Sequence, residues 1–418
     1  MAKKILAAAV IVPVALAGLQ LTTARMYEQK SEELWLQQAD YVTLLERDTQ
    51  LGVLGGSERA VVRVPVDSPF IPVQAIDVVI DSDVSFYPGW LRSTSTLQFN
   101  AVMFDGELVN INDELGLPEL LVTGGGHLLG LHSRMVIPAN RYEIGDGEYI
   151  EVGDITLGSA LRFANNKVDF VFGLEHLNVQ EDDHNLLQMN GLTLRWQQQG
   201  DKPYWTVNAD IQLQQLAFNE TYNGFSLEQF QWQHDSVLTP ANWENRMVLS
   251  AADIDLRNKG QVRDVRLDLS VAQMNGEAAA HLLSLVEDVQ NGTISEDDLV
   301  EALVTYGQRL LAGSPRININ EFAFNMVRHT RYADRLTGFI GFDGQDLDEN
   351  FVESLLTGGY YAQHMFMGRL LMEVNAETLE RELLQGTGMP ADIINDSGQQ
   401  LSIKEGAIYF NGHLVGPL

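Results

Sequence analysis

Leu192, Leu194 and Trp196 alternate with Thr193, Arg195 and Gln197, and the same apolar–polar alternation returns twice further along the chain. Val207, Ala209, Ile211 and Leu213 alternate with Asn208, Asp210, Gln212 and Gln214. Val265, Leu267, Leu269 and Val271 alternate with Arg266, Asp268 and Ser270. A period of two sends successive side chains to opposite faces, so each run reads as a strand with one dry and one wet face. Asn, Gln and Asp on the wet face argue against a parallel sheet covered on both sides, whose strands are apolar throughout. The pattern predicts an extended antiparallel sheet.

Shorter strand-like pieces precede it. Val61, Val62, Val64 and Val66 form a β-branched run ended by Pro69 and Pro72, and Ile76 to Ile80, Leu97 to Met103 and Leu128 to Ile137 follow. Pro88-Gly89, Asp105-Gly106 and Gly124-Gly125-Gly126 read as the turns between them. Helices are fewer. Ser295 with Asp298 resembles a capping box, and Leu299, Leu303, Tyr306 and Leu310 then recur at helical spacing. Asn275 is expected to cap a helix whose buried stripe is Ala279, Leu282 or Leu283, and Val286. Asn375 is expected to cap a shorter one with Leu379 and Leu383, closed by Gly386. The strand–bend–helix order of Val265–Val286 recurs at Leu370–Leu384. That suggests a duplicated unit, although chance recurrence of a common motif accounts for it nearly as well.

The amino-terminal end is of another kind. Ile5 to Leu21 carry no charge over 17 positions, directly behind Lys3 and Lys4. As a helix the run covers about 25 Å, slightly under a bilayer's roughly 30 Å hydrocarbon core. It reads as a secretory signal with Ala15-Leu16-Ala17 as the cleavage triplet, or as a retained signal-anchor. The anchor is preferred: Thr22, Thr23 and Ala24 can extend it, Arg25 can snorkel, and a spanning helix tolerates Pro13. Leu34, Gln38, Tyr41, Leu44 and Leu45 then recur at spacings of three and four, as in a helix. The expected organisation is a transmembrane helix at 1–25, a juxtamembrane helix at 26–50 and a β-rich body at 51–418, with a subdivision near 190–265. The expected fold class is α+β: an N-terminal transmembrane helix, then an extended, mostly antiparallel sheet with several packed amphipathic helices. The segment is expected to cross a membrane once, amino terminus inside and body exported.

Charge narrows the partners. The chain has 27 Lys and Arg against 57 Asp and Glu, a net charge of −30. A surface this acidic repels nucleic acid and anionic headgroups, so no nucleic-acid partner is expected. The absence of cysteine removes disulfides, thiol nucleophiles, thiolate metal sites and a lipoprotein attachment point together.

Four stretches then carry a family resemblance by their order and spacing. They are Leu267–Leu285 around Met274-Asn275-Gly276-Glu277-Ala278, and Leu303–Phe324 with Gly313-Ser314-Pro315 leading into Ile317-Asn318-Ile319. Leu370–Leu384 and the terminal hairpin Leu401–Leu414, which turns at Glu405-Gly406, complete the set. With the amino-terminal segment, these resemble the YdgA-like bacterial envelope proteins, the domain of unknown function 945. Residues 57–190 match least. The resemblance implies an inner-membrane protein with a periplasmic body, and no enzyme activity or catalytic residue.

No motif for chemistry emerges. His127 and His132 are the only close pair among nine His, and five apart they share neither a helix face nor a strand face well. Gly124-Gly125-Gly126-His127 lacks the Gly-Lys-Ser/Thr ending of a phosphate loop and the spacing of a dinucleotide fingerprint. Asp343, Asp346, Asp348 and Glu349 form an acidic cluster without the ligand spacing of a calcium loop, and Glu181-Asp182-Asp183 reads as a wet loop. Trp196, Trp205 and Trp232 fall on strands, where they serve packing or a lipid-facing or sugar-stacking row. No catalytic, cofactor-binding or metal-binding residue is assigned. The expectation is a non-catalytic envelope protein that binds a lipid or hydrophobic partner, or a second copy, along its sheet, or acts as a scaffold. The rival is a periplasmic hydrolase or carbohydrate-processing enzyme using paired carboxylates.

Overall fold

The computed structural model describes residues 27, 43–66, 73–114, 116, 120–127, 129–145, 147–181, 184–200, 203–219, 224–257, 259–290, 293–327, 331–357, 360–379, 392–396 and 398–418. Strand accounts for 68% of the described residues and helix for 15%. The fold is therefore mostly antiparallel β, which corrects the α+β expectation. No helix among the described residues is long and apolar enough to cross a membrane. The longest, Glu296–Ala312, carries Asp298, Glu301 and Arg309 on its turns and so is amphipathic. The charge-free run Ile5–Leu21 lies outside the described residues. The helix expected at 26–50 is replaced from Thr43 onward by a strand, because Thr43 to Leu51 find hydrogen-bonding partners in the next strand. Leu44 and Leu45 both remain exposed on it.

The chain divides into two units, Met1–Asp183 and His184–Leu418. The first is a meander of β1 (Thr43–Leu51), β2 (Gly55–Pro65), β3 (Val73–Tyr87), β4 (Trp90–Met103), β5 (Leu108–Asn110), β6 (Leu120–His127), β7 (Gly130–Ile137), β8 (Asn140–Gly145), β9 (Glu148–Val152), β10 (Ile155–Arg162) and β11 (Lys167–Glu181). Its strands pair in the order β1-β2-β3-β4-β6-β7-β10-β11, all antiparallel. β5 lies against the end of β4, while β8 and β9 prolong β7 and β10 beyond bends at Pro138-Ala139 and Gly153-Asp154. Asp154 stitches the two bends together by accepting from the Ala139 N–H at 2.8 Å.

The core of this unit centres on Val84, Phe86 and Leu91, with Tyr27, Leu51 and Leu131 packed against them. Beside it the Tyr27 hydroxyl donates to Glu58 at 2.9 Å, and Arg47 Nε donates to the other carboxylate oxygen at 2.8 Å. Burial, then the neighbouring Glu58 carboxylate, push the Tyr27 phenol above its ordinary value, so it stays protonated. Gly124-Gly125-Gly126 is not a turn but part of β6. The missing side chains leave room for neighbours: a Cβ on Gly124 would collide with Ser93 Oγ, and one on Gly125 would meet the His132 ring at 2.9 Å.

The second unit runs in strict sequence through β12 (His184–Gln199), β13 (Trp205–Phe218), β14 (Phe225–Leu238), β15 (Asn242–Leu256), β16 (Gly260–Asn275), β17 (Arg316–Val327), β18 (Arg331–Phe342), β19 (Leu370–Ala376), β20 (Gln399–Lys404), β21 (Ala407–Phe410) and β22 (His413–Pro417). Each strand pairs antiparallel with the next. Two left-handed pairs, Glu405-Gly406 and Asn411-Gly412, make the tight turns of the terminal hairpins.

Four helices interrupt the meander: α1 (Gly276–Gln290) and α2 (Glu296–Ala312) before β17, α3 (Phe351–Leu356) and α4 (Tyr360–Gly368) before β19. Two of the three expected caps form. Asn275 Oδ1 accepts from the Ala278 N–H at 2.9 Å, and Ser295 Oγ from that of Asp298 at 3.2 Å. The buried side of α1 is Ala278, Ala279, Ala280 and Leu285, while Val286 is exposed. The helix expected after Asn375 falls largely on 380–391, outside the described residues. Asn375 itself is in β19.

All four helices sit at one end of the strands. Leu238 packs with Ala279 and Ala280 beneath Trp205, Trp243, Leu283 and Leu310. Phe342 packs with Phe351 and Val352 beside Leu311 and Met365. Two buried clusters of the unit lie under these helices, and Leu213, Ala217 and Ala251 are buried farther along the sheet.

Candidate functional site: the uncovered apolar face

Directly paired residues of antiparallel strands share a face, so the registers can be followed across the second unit. One unbroken row is Leu194–Ile211–Trp232–Leu249–Leu267–Phe322–Leu336–Ala376, eight strands wide. Two residues nearer the helices runs Trp196–Ala209–His234–Met247–Leu269–Ile319–Gly338–Val374–Leu401–Phe410. In the first row every member except Ala376 is half-buried, neither sealed in a core nor fully wet.

The far half of the sheet changes parity. In β13 the apolar positions pass from the odd-numbered Val207, Ala209, Ile211 and Leu213 to Leu216 and Phe218; in β14 they pass from Phe230 back to Leu227 and Phe225. The switch coincides with a line of left-handed residues set in register across alternate strands: Gly191 (φ 63°), Gln229 (φ 50°) and Asp264 (φ 50°). Beyond that line the apolar row is Met189–Leu216–Leu227–Ile254–Val262–Met326.

β17 decides which side this second set occupies. Its positions Phe322, Phe324 and Met326 alternate without a break opposite β18, and the Phe322 and Phe324 rings lie 5.4 Å apart. Phe322 pairs with Leu267 and Met326 with Val262, so both rows share one face. The left-handed residues re-aim the side chains that follow them, as a bulge does. The non-glycine ones cost roughly 1–2 kcal/mol each. They keep most of a single face apolar along the strands, with His234 and the buried Asp334, opposite Phe324, as polar positions on it.

The opposite face is polar and paired. Asp210 accepts from Gln212, Gln231 and Gln233. Asp268 accepts both arms of Arg246, at 3.0 and 2.6 Å, and Asn320 Nδ2 at 2.9 Å. Glu321 bridges Arg266 at 2.9 Å and Arg335 at 3.0 Å, and Arg335 continues to Glu377. The Arg246 guanidinium lowers the Asp268 carboxyl below its ordinary value. Asp268, Glu321 and Glu377 are tied to guanidinium groups, the opposite of a carboxyl kept protonated as a general acid.

The acidic loop Asp343–Glu349 is organised by a cation of the chain itself. Arg369 donates to the carbonyls of Asp343, Gln345 and Asp346 at 3.0, 2.7 and 3.1 Å. Asp343 and Asp348 cap local turns through the N–H groups of Gln345 and Asn350. Among the described residues no three His, Asp or Glu side chains gather where they could hold a metal. Replacing Arg369 with Ala leaves those carbonyls without their donor and is expected to cost about 2 kcal/mol. Faster amide exchange at 343–350 would report it; unchanged protection would remove the role given to Arg369. His127 and His132 sit on neighbouring strands, His127 Nδ1 accepting from the Leu129 N–H at 3.0 Å, and do not converge.

Residues 130–328 match the model of a bacterial family described as a protein of unknown function, DUF945. Over that span the chain belongs to the DUF945 family. The matched span includes β7 to β17 with α1 and α2, and two of the stretches that carry the resemblance, Leu267–Leu285 and Leu303–Phe324. Leu370–Leu384 and Leu401–Leu414 lie beyond it. It also takes in 130–190, part of the region expected to match least. The YdgA-like label is no part of the DUF945 match. No curated protein and no solved structure matches the chain.

Proposed function

We propose that this DUF945 protein is a non-catalytic lipid carrier or lipid-holding protein of the bacterial envelope, and that an acyl chain lies along the apolar face of β12–β18. The observation that carries this reading is the eight-strand apolar row from Leu194 to Ala376, partly exposed except at Ala376 and continued past the left-handed line. A contiguous apolar surface of this extent marks an interaction site. From β12 to β18 the row spans about 29 Å at about 4.8 Å per strand. One leaflet's acyl chain needs roughly 15 Å, half a hydrocarbon core. The envelope assignment rests on the charge-free run Ile5–Leu21 behind Lys3 and Lys4.

Native mass spectrometry of the purified full chain is expected to find a lipid adduct on a single copy, and a fluorescent fatty acid to bind competitively with it. Phe322→Ser, in mid-row, is expected to weaken that binding about tenfold or more. A protein that carries no adduct and leaves the fluorescent acid free would overturn the reading, and a dimer whose formation buries the face would assign it to a second copy.

A further inference from the structure

Four hairpins of the first unit turn at the same end of its sheet: β1–β2, β3–β4, β6–β7 and β10–β11. Across six strand spacings they extend about 29 Å. The tips of the first three are apolar and exposed. Leu54 is 75% exposed, Leu129 62% and Trp90 47%, with Val53 and Tyr87 beside them. The segments 50–56, 85–92, 126–131 and 161–167 contain Arg92, Arg162 and Lys167 and no Asp or Glu at all, in a chain of net charge −30. The first carboxylates down these strands are Asp48, Glu58, Asp83 and Asp169, of which Asp169 lies 3.8 Å from both Arg162 and Lys167.

The tips are also built firmly. Tyr87 and Trp90 stack at 3.9 Å, 7° from parallel, across the Pro88-Gly89 turn, where Gly89 has φ 81°. Neighbouring tips are laced by backbone bonds: the Phe86 N–H to the Leu54 carbonyl and the Phe163 N–H to the Leu129 carbonyl, both 2.9 Å. Little ordering is left to be done on contact.

We propose that this end of the first unit docks on the surface of an anionic phospholipid bilayer. Trp and Tyr favour the boundary between headgroups and hydrocarbon, where the ring is buried and the polar atom stays wet. Leu54 and Leu129 enter beside them, and the exposed Arg92 and Arg162 meet the headgroup charge. The carboxylate-rich remainder of the chain is repelled by the same surface, which fixes the orientation.

The chain has no cysteine, so Leu54→Cys and Phe104→Cys each give a unique site for an environment-sensitive dye. Phe104 is exposed at the β4–β5 turn, at the opposite end of β4. With the full chain and vesicles of phosphatidylcholine plus phosphatidylglycerol, the dye at 54 is expected to shift to the blue and brighten, and the dye at 104 to stay unchanged. Vesicles of phosphatidylcholine alone should give a weaker response, and Arg92→Glu with Arg162→Glu should weaken binding about 30-fold. Leu129→Cys is a second reporter should the first variant not fold. If the chain binds vesicles while dyes at 54 and 129 stay in water, residues elsewhere hold it and the proposal is overturned. Failure to bind anionic vesicles overturns it equally.

Discussion

Gly338→Ala is expected to loosen the join between β18 and β19 and to lower the melting temperature more than other single glycine replacements on this sheet. Gly338 pairs with Ile319 on one side and Val374 on the other, inside the apolar face. A Cβ there would collide with the Glu373 carbonyl oxygen and stand 2.8 Å from Val374 Cα. Both are backbone atoms, so no side chain can swing aside, and the strands must separate. Overpacking of this kind costs on the order of 3 kcal/mol, a large share of the stability of an ordinary domain. Gly368, at the end of α4, is the control, since a Cβ there meets nothing within 4 Å. Thermal unfolding with amide exchange would locate the damage in β18 to β22. A Gly338→Ala protein that melts with the wild type would refute the close approach.

Much of the sheet was legible because a half-wet strand needs period-two alternation, and β12, β13 and β16 carry it openly. The turns with positive φ were equally legible: Pro88-Gly89, Asp105-Gly106 and Glu405-Gly406 use residues suited to that conformation. Gly124-Gly125-Gly126 misled because glycine serves both turns and close approach; the side chains of Ser93 and His132 that need the room are distant in sequence. Residues 43–51 misled for another reason. Leu44 and Leu45 fit a helical stripe, yet pairing with β2 satisfies the backbone of this segment, and tertiary partners outrank local propensity. The shift of apolar parity between Leu213 and Leu216 was present in the sequence as a spacing of three within a strand. Only the register, which ties it to Gln229 and Asp264, identifies it as a device that keeps one face dry. The ion ladder on the wet face was illegible, since Asp268, Glu321 and Arg335 meet only once β16, β17 and β18 are aligned.

That ladder gives the second large effect, a dependence of stability on pH that Asp268→Asn should blunt. Asp268 is buried while Arg246 is about half exposed, so part of the attraction is screened and the geometry contributes mainly through charged hydrogen bonds. Arg246 and Asn320 lower the carboxyl's affinity for its proton in the folded chain. The unfolded chain therefore binds that proton more readily, at about pH 3.9. Above that value the interaction stabilises the fold in full. As pH falls through it and on through the lower folded value, the stabilisation disappears. At pH 7 Asp268→Asn is expected to cost about 2 kcal/mol, because the amide cannot serve both arms of Arg246 as a carboxylate does. Below the folded value the two proteins should converge in stability. Urea unfolding at a series of pH values would trace both curves, and a constant gap between them down to acid would show that Asp268 does not titrate with folding.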